Sequence, residues 1–244
     1  MKRTFADLHL RTNGNEPTQI TKLAAKAAEL GFKMISTPLP PFANAEEIRK
    51  LKTTSNEAGL DFASRVDIRP KNQNELLALL RKLRRRFEIL CVICETKETA
   101  RQAAKDHRVD LLCFPSLDYR KRFFDRPEAE LASGGNAALE IDIKPVLILE
   151  GPQRVRFLST LRREVSVALE FHVPIVVSSG TSEPLLLRKP HETAMLTSLF
   201  GLNGSKALDA VSTNPVGLVG RNRGKLAADF VAPGIRLIKR GKDC

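Results

Sequence analysis

Five residues have the types and spacing that metal-assisted or acid–base chemistry needs: Asp7, His9, Asp67, Glu95 and Asp142. Asp7-Leu-His9 sets two polar side chains on one face of an extended segment, because strand side chains alternate. Arg65-Val-Asp67 and Glu140-Ile-Asp142 repeat that spacing of two, and Glu95 follows the apolar run 88–94. At the carboxyl ends of strands in a β/α barrel, these five side chains would ring the mouth where such folds do their chemistry. One imidazole and four carboxylates suit a divalent metal in phosphoester hydrolysis, or a paired general acid and base. The same residues serve as ordinary strand-end groups bonded to loops. Histidine supply favours that plainer role. His107 and His172 precede strands, leaving His9 and at most His191 for the mouth. Multinuclear zinc or manganese sites use more imidazole than this. The expectation is no metal site, with a metal-dependent phosphoesterase as the alternative function.

Other chemistry is harder to build. Cys91 and Cys94 spell C-x-x-C inside an apolar run. Residues three apart on a strand face opposite ways, so the pair reads as core cysteines. Neither G-x-x-x-x-G-K-[ST] nor G-x-G-x-x-G occurs, which removes the common phosphate loops. Positive charge is what clusters. Arg81 to Arg86, Arg120 to Arg122 and Arg162-Arg163 read as solvated faces. Near the C-terminus, Arg188 and Lys189 stand before a helix signal, and Arg221-Asn222-Arg223-Gly-Lys225 reads as a loop. Small residues between cations let a backbone approach a phosphate, and arginine offers a planar fork to its oxygens. Arg188, Lys189, Arg221, Asn222, Arg223 and Lys225 are therefore the candidate residues for contact with a phosphate backbone.

These groups need a frame. Apolar runs at 5–10, 33–37, 61–68, 88–94, 109–114, 138–143 and 173–178 predict seven strands. Their starts lie roughly 20 to 35 residues apart, the spacing of right-handed β-α-β units. Helical signals fill the gaps. Ile20, Leu23, Ala24, Ala27 and Leu30 share a face that stops at Gly31. Asn44 with Glu47, and Asn72 with Glu75, suit capping boxes. Such alternation implies a parallel sheet, and seven units in this length fit a closed TIM-barrel-like α/β barrel ringed by helices. Residues 216–219 and 235–238 compete for the final strand. The expected organisation is one barrel domain over 1–232 and a basic C-terminal tail over 233–244.

Composition sets the outer bounds. The chain has 244 residues, 42% hydrophobic, enough for one large core. Forty Lys and Arg against 28 Asp and Glu give a net charge of +12, which points to a polyanionic partner. With no Trp and one Tyr, base stacking would not dominate contact with a nucleic acid. No run of about 18 apolar residues predicts a membrane span, and the N-terminus lacks the apolar core of a signal peptide. Four cysteines in a chain this long do not make a disulfide framework, so a reducing, cytoplasmic setting is expected.

An ordered set of segments resembles the ribonuclease P protein component 3 family, archaeal counterparts of the roughly thirty-kilodalton eukaryotic subunit. These segments are Phe5-Ala-Asp-Leu-His-Leu10, Gly31-Phe32, Ser64-Arg-Val-Asp67, Asp110-Leu-Leu-Cys-Phe114 and Val173-Pro-Ile-Val-Val-Ser-Ser-Gly180. They continue with Leu187-Arg-Lys-Pro-His-Glu192, Leu199-Phe-Gly-Leu202, Ala210-Val-Ser-Thr-Asn-Pro215 and Arg221-Asn-Arg223. The resemblance implies a barrel related to the polymerase-and-histidinol-phosphatase (PHP) phosphoesterases. It implies a non-catalytic protein subunit of the ribonucleoprotein that removes the 5′ leader of precursor tRNA. No cofactor is expected on this chain; the holoenzyme's Mg²⁺ is expected on the RNA. Implied partners are ribonuclease P RNA, protein component 2 and other protein subunits, with precursor tRNA as holoenzyme substrate and no membrane. The related phosphoesterases open with His-x-His, and here Asp7 stands first.

Overall fold

The computed structural model describes residues 3–12, 17–115, 122–232 and 235–237. Seven parallel strands lie in sequence order: β1 (Ala6–Asp7), β2 (Met34–Leu39), β3 (Asp61–Ile68), β4 (Ile89–Ile93), β5 (Leu111–Cys113), β6 (Ala138–Asp142) and β7 (Ile175–Ser178). Backbone bonds just past the strand ends bring the two edges together. Gly180 N donates to His9 O at 3.0 Å, and Arg11 N to Thr181 O at 2.8 Å. The result is the nearly closed α/β barrel that the run spacing predicts.

The period of two separates an inner from an outer layer. Ala63, Ile89, Cys91, Leu111, Cys113, Ala138 and Val176 point inward. Val66, Leu90, Val92, Leu112, Leu139, Ile141 and Val177 point outward into the helical ring. That ring contains α1 (Pro17–Leu30), α2 (Ala45–Glu57), α3 (Gln73–Leu83), α4 (Lys97–Lys105), α5 (Arg126–Ser133), α6 (Lys144–Ile148), α7 (Gly151–Glu170), α8 (Pro190–Leu196) and α9 (Gly204–Ala210). Both layers are apolar because parallel strands are covered on both faces.

Local signals set the helix ends. Asn44 and Glu47 form a complete capping box on α2. Asn72 caps Glu75 N on α3, but the Glu75 carboxylate turns to Lys71 N, one residue earlier than a box requires. α1 stops at Gly31, whose φ of 98° only glycine adopts without strain.

Two expectations need correction. Residues 216–219 belong to α10 (Thr213–Leu226), not to a strand. Pro215 sits in the first turn of that helix, where its missing N–H costs nothing. Ile235–Arg236 (β9) is extended but pairs antiparallel with Phe230–Ala232 (β8) as a separate hairpin. Most of the tail beyond it, residues 238–244, and the link 233–234 lie outside the described residues. Leu218 and Val219 of α10 join the inner apolar cluster and seal the amino-terminal end of the barrel.

Candidate functional site

At the mouth, β3 and β6 each send two polar side chains inward. From β3, Arg65 is fully buried, a large cost for a cation unless it is paired and hydrogen-bonded. Its guanidinium meets that demand completely. Nη1 and Nη2 each lie 2.6 Å from an oxygen of Glu140, the bidentate fork. Nε donates to Asp67 Oδ1 at 2.6 Å and Nη2 to Asp67 Oδ2 at 3.3 Å. The fifth N–H goes to Leu8 O at 2.7 Å. Glu140 also accepts from Ser178 Oγ at 2.9 Å.

His9 lies beside this pair. Its Nδ1 is 2.8 Å from Asp142 Oδ1, and Nε2 is 3.6 Å from Asp67 Oδ2. Burial and the Arg65 charge push the imidazole pKa down, but Asp142 and Glu140 outweigh them and raise it. Burial likewise lifts Asp142, yet His9 and Arg11 overcome it and hold that carboxyl well below its usual range. Arg11 reaches Asp142 Oδ2 at 3.2 Å from the rim. Gly180 lets the chain pass here, since a side chain would strike the Asp142 carboxylate. Three basic side chains thus face three carboxylates.

Two of the five ring residues stand outside this arrangement. Asp7 stitches the barrel seam: its Oδ1 accepts from His9 N and Ser179 N, both at 3.1 Å. Burial raises its carboxyl pKa despite those bonds. Glu95 lies beyond the end of β4 with 46% of its side chain exposed, 3.5 Å from Arg69. The chain turns outward toward α4 before Glu95 can join the ring. His9, Asp67 and Asp142 are brought together, but around a guanidinium. Cys91 points inward and Cys94 outward, as strand alternation requires, and burial pushes both thiols up. Such thiols resist the ionisation that a thiolate ligand needs.

Arg65 and Glu140 are the residues that sequence reasoning undervalued. Their signal was the shared spacing of two: Arg65 alternates with Asp67 as Glu140 does with Asp142, so all four face inward.

The candidate RNA-contact residues divide between two places. Arg188 follows the loop leaving β7 and donates through Nη1 to Leu185 O and Leu187 O. Exposed Lys189 opens α8, where the Glu192 carboxylate accepts from its backbone N–H. Arg221, Asn222, Arg223 and Lys225 are helical, a correction to the loop expected there. They form the last turns of α10. Glycine's helix penalty of about 1 kcal/mol is outweighed by tertiary packing. This segment lies against the incoming ends of β3, β4 and β5. Asn222 is only 2% exposed and donates to Glu88 O and Asp110 Oδ1, both at 2.8 Å. Arg223 pairs with Asp61 and Glu88, and its hydrogen bonds to these acids raise its pKa. Arg221 reaches Asp110 at 3.4 Å and keeps about a third of its side chain exposed. Lys225 is exposed; burial, Arg221 and Arg84 lower its pKa. Arg122 of the run 120–122 is buried against Glu164, while Arg120 and Lys121 lie outside the described residues. Among the described residues no helix is long and apolar enough to cross a membrane.

Known proteins resemble this chain along nearly its whole length. Ribonuclease P protein component 3 of Methanosarcina barkeri is 28% identical over 251 residues, covering 98% of both chains. Its counterpart in Methanosarcina mazei is 29% identical, covering 99% of this chain and 98% of that one. A chain in a cryo-EM structure of archaeal ribonuclease P with mature tRNA superposes with a TM-score of 0.82 at 22% identity, over 97% of this chain and 99% of that one. That likeness shows the fold. The family profile described as RNase P subunit p30 matches residues 4–226, which include all seven barrel strands and α10. The chain belongs to the RNase P subunit p30 family.

Proposed function

We propose that this chain is a protein subunit of ribonuclease P, the ribonucleoprotein that removes the 5′ leader of precursor tRNA, and that it is a scaffold and not the catalyst. The family match across residues 4–226 carries this reading. The barrel mouth supports its second half. Carboxylates that could act as metal ligands or as a general base are bonded to Arg65 and His9 inside the protein. A net charge of +12 suits a chain that neutralises RNA phosphates, since structured RNA is read largely through backbone and shape.

In this proposal catalytic Mg²⁺ resides on the RNA and none on this chain. Protein component 2 and further subunits complete the assembly in the cytoplasm. The exposed cations Arg221 and Lys225, with Arg188 and Lys189, are the proposed phosphate contacts. Arg223 and Asn222 hold α10 so that its neighbours face outward.

The test is reconstitution of precursor-tRNA cleavage from RNA and partner proteins at limiting Mg²⁺, with and without this chain. Faster cleavage with the chain is expected; equal rates would end the proposal. A PHP-type phosphoesterase using Asp7, His9, Asp67, Glu95 and Asp142 is disfavoured by Glu95 lying outside the ring and by the guanidinium within it.

A further inference from the structure

We propose that the barrel mouth is a cation site whose occupant is the chain's own Arg65, and that removing that side chain leaves a divalent-metal site formed by His9, Glu140 and Asp142. This goes beyond the subunit reading and stands independently of it.

The ligand atoms already converge. His9 Nδ1 lies 2.8 Å from Asp142 Oδ1 and 3.9 Å from Glu140 Oε2, while Asp67 faces the other ring nitrogen, Nε2, at 3.6 Å and so stands outside the set. One nitrogen and one oxygen each from Glu140 and Asp142 form a group in which a cation could be held by all three residues. Donors bound to one ion at about 2.0–2.2 Å stand about 3–3.6 Å apart, so only small shifts separate this cluster from a ligand set. An imidazole with carboxylates suits zinc or manganese better than a soft metal.

What excludes the ion is Arg65. It enters from β3, crosses to β6, and bonds both oxygens of Glu140 and both of Asp67. All five guanidinium N–H groups are used, and Leu8 O fixes the side chain from a third direction. A metal cannot take those oxygens without displacing a fully buried cation whose five N–H groups are all bonded there. Guanidinium supplies charge balance but no open coordination position, so it polarises no water. The mouth is thereby a structural ion cluster on a frame that could otherwise hold a metal. Truncating Arg65 would leave the buried Glu140 carboxylate with Ser178 Oγ in place of a cation and would take the guanidinium from part-buried Asp67, a strong demand for a replacement cation.

The experiment compares wild type, His9→Ala, Arg65→Ala, Arg65→Lys and the double variant H9A/R65A. Thermal midpoints are measured in chelator, then with Mn²⁺, Zn²⁺ or methylguanidinium; Co²⁺ absorption reports the coordination. Wild type is expected to show no saturable metal response. R65A should lose roughly 10 °C in chelator and regain part of it, saturably, with Mn²⁺ or Zn²⁺ and with methylguanidinium. The metal response should vanish in H9A/R65A, while rescue by methylguanidinium persists. Stoichiometric Mn²⁺ or Zn²⁺ on the wild-type protein, lost in H9A, would overturn the proposal. So would an R65A protein that folds and answers to neither metal nor methylguanidinium. If R65A does not fold, R65K decides: it keeps the charge without the fork, and a midpoint equal to wild type would reject the fork-filled site. None of these readouts involves RNA, so their failure leaves the subunit assignment to the cleavage assay.

Discussion

The two ends of the barrel handle charge differently. At the outgoing end, Arg65, His9 and Arg11 meet Asp67, Glu140 and Asp142 in a cluster that is buried apart from its rim. At the incoming end, α10 lays Arg221, Asn222 and Arg223 across Asp61, Glu88 and Asp110, and Lys225 stays exposed. The first arrangement spends its charges on itself. The second has anchored charges beneath and accessible ones above. A barrel's usual functional face is the outgoing one. We propose that in this chain the exposed cations of the incoming face, Arg221 and Lys225, meet a polyanion.

The largest expected effect tests the outgoing end. Arg65→Ala should cost about 3–5 kcal/mol in chemical denaturation, because it takes the guanidinium from fully buried Glu140 and part-buried Asp67. A loss below about 1 kcal/mol would mean that the cluster is far better solvated than its burial implies.

Next comes the anchor at the incoming end. Asn222→Ala leaves Asp110 and Glu88 O short of a donor and should cost about 1–3 kcal/mol. Arg221→Ala, at a part-exposed ion pair, should cost under about 1 kcal/mol. If the two variants are equally stable, anchored and accessible residues are not distinct there.

A third test uses pH. Glu128 is a foil to Glu140: one oxygen pairs with Arg101 at 2.7 Å, and the other is buried without a hydrogen-bond partner. Burial raises its pKa to about 7, against opposition from Arg101. The folded state therefore holds a proton that the unfolded state releases. The sign follows: stability conferred by that proton is full below the unfolded value near 4.5 and is lost as pH rises toward 7. Glu128→Gln should flatten that part of the stability profile, by on the order of 1 kcal/mol. An unchanged slope in the variant would assign the pH dependence to another group.

The smallest effect on stability has the clearest reading in RNA. The double variant R221Q/K225Q should unfold within about 1 kcal/mol of wild type, yet weaken binding to ribonuclease P RNA and lower the salt slope by about 2, one per lost phosphate contact. An unaltered slope would place the RNA contacts elsewhere, with Arg188 and Lys189 next to test.

Much of this was legible before any fold was known. Continuous apolar runs named the seven strands, since a strand covered on both faces must be apolar throughout. Asn44 with Glu47, and Gly31, marked helix ends by local bonding alone. Residues 215–224 were not legible. Pro215 and three glycines look like a strand or loop locally, and what makes them helical is distant: Leu218 and Val219 in the barrel's inner cluster, and Asn222 on Asp110. The mouth was half legible. Spacing of two put Asp67 and Asp142 on the inner face, but Glu95 was misplaced because the turn after β4 leads away from the axis.

By itself, the sequence determined the alternation of strands and helices, the inner and outer faces, the helix caps and the excess of positive charge. Each depends on neighbours within a few residues or on composition. The tertiary structure decided which charges meet. Arg65 finds Glu140 across 75 positions, and Arg223 finds Asp61 across 162. Only closure of the barrel sets those distances, and whether a cation is spent inside or left facing solvent depends on them.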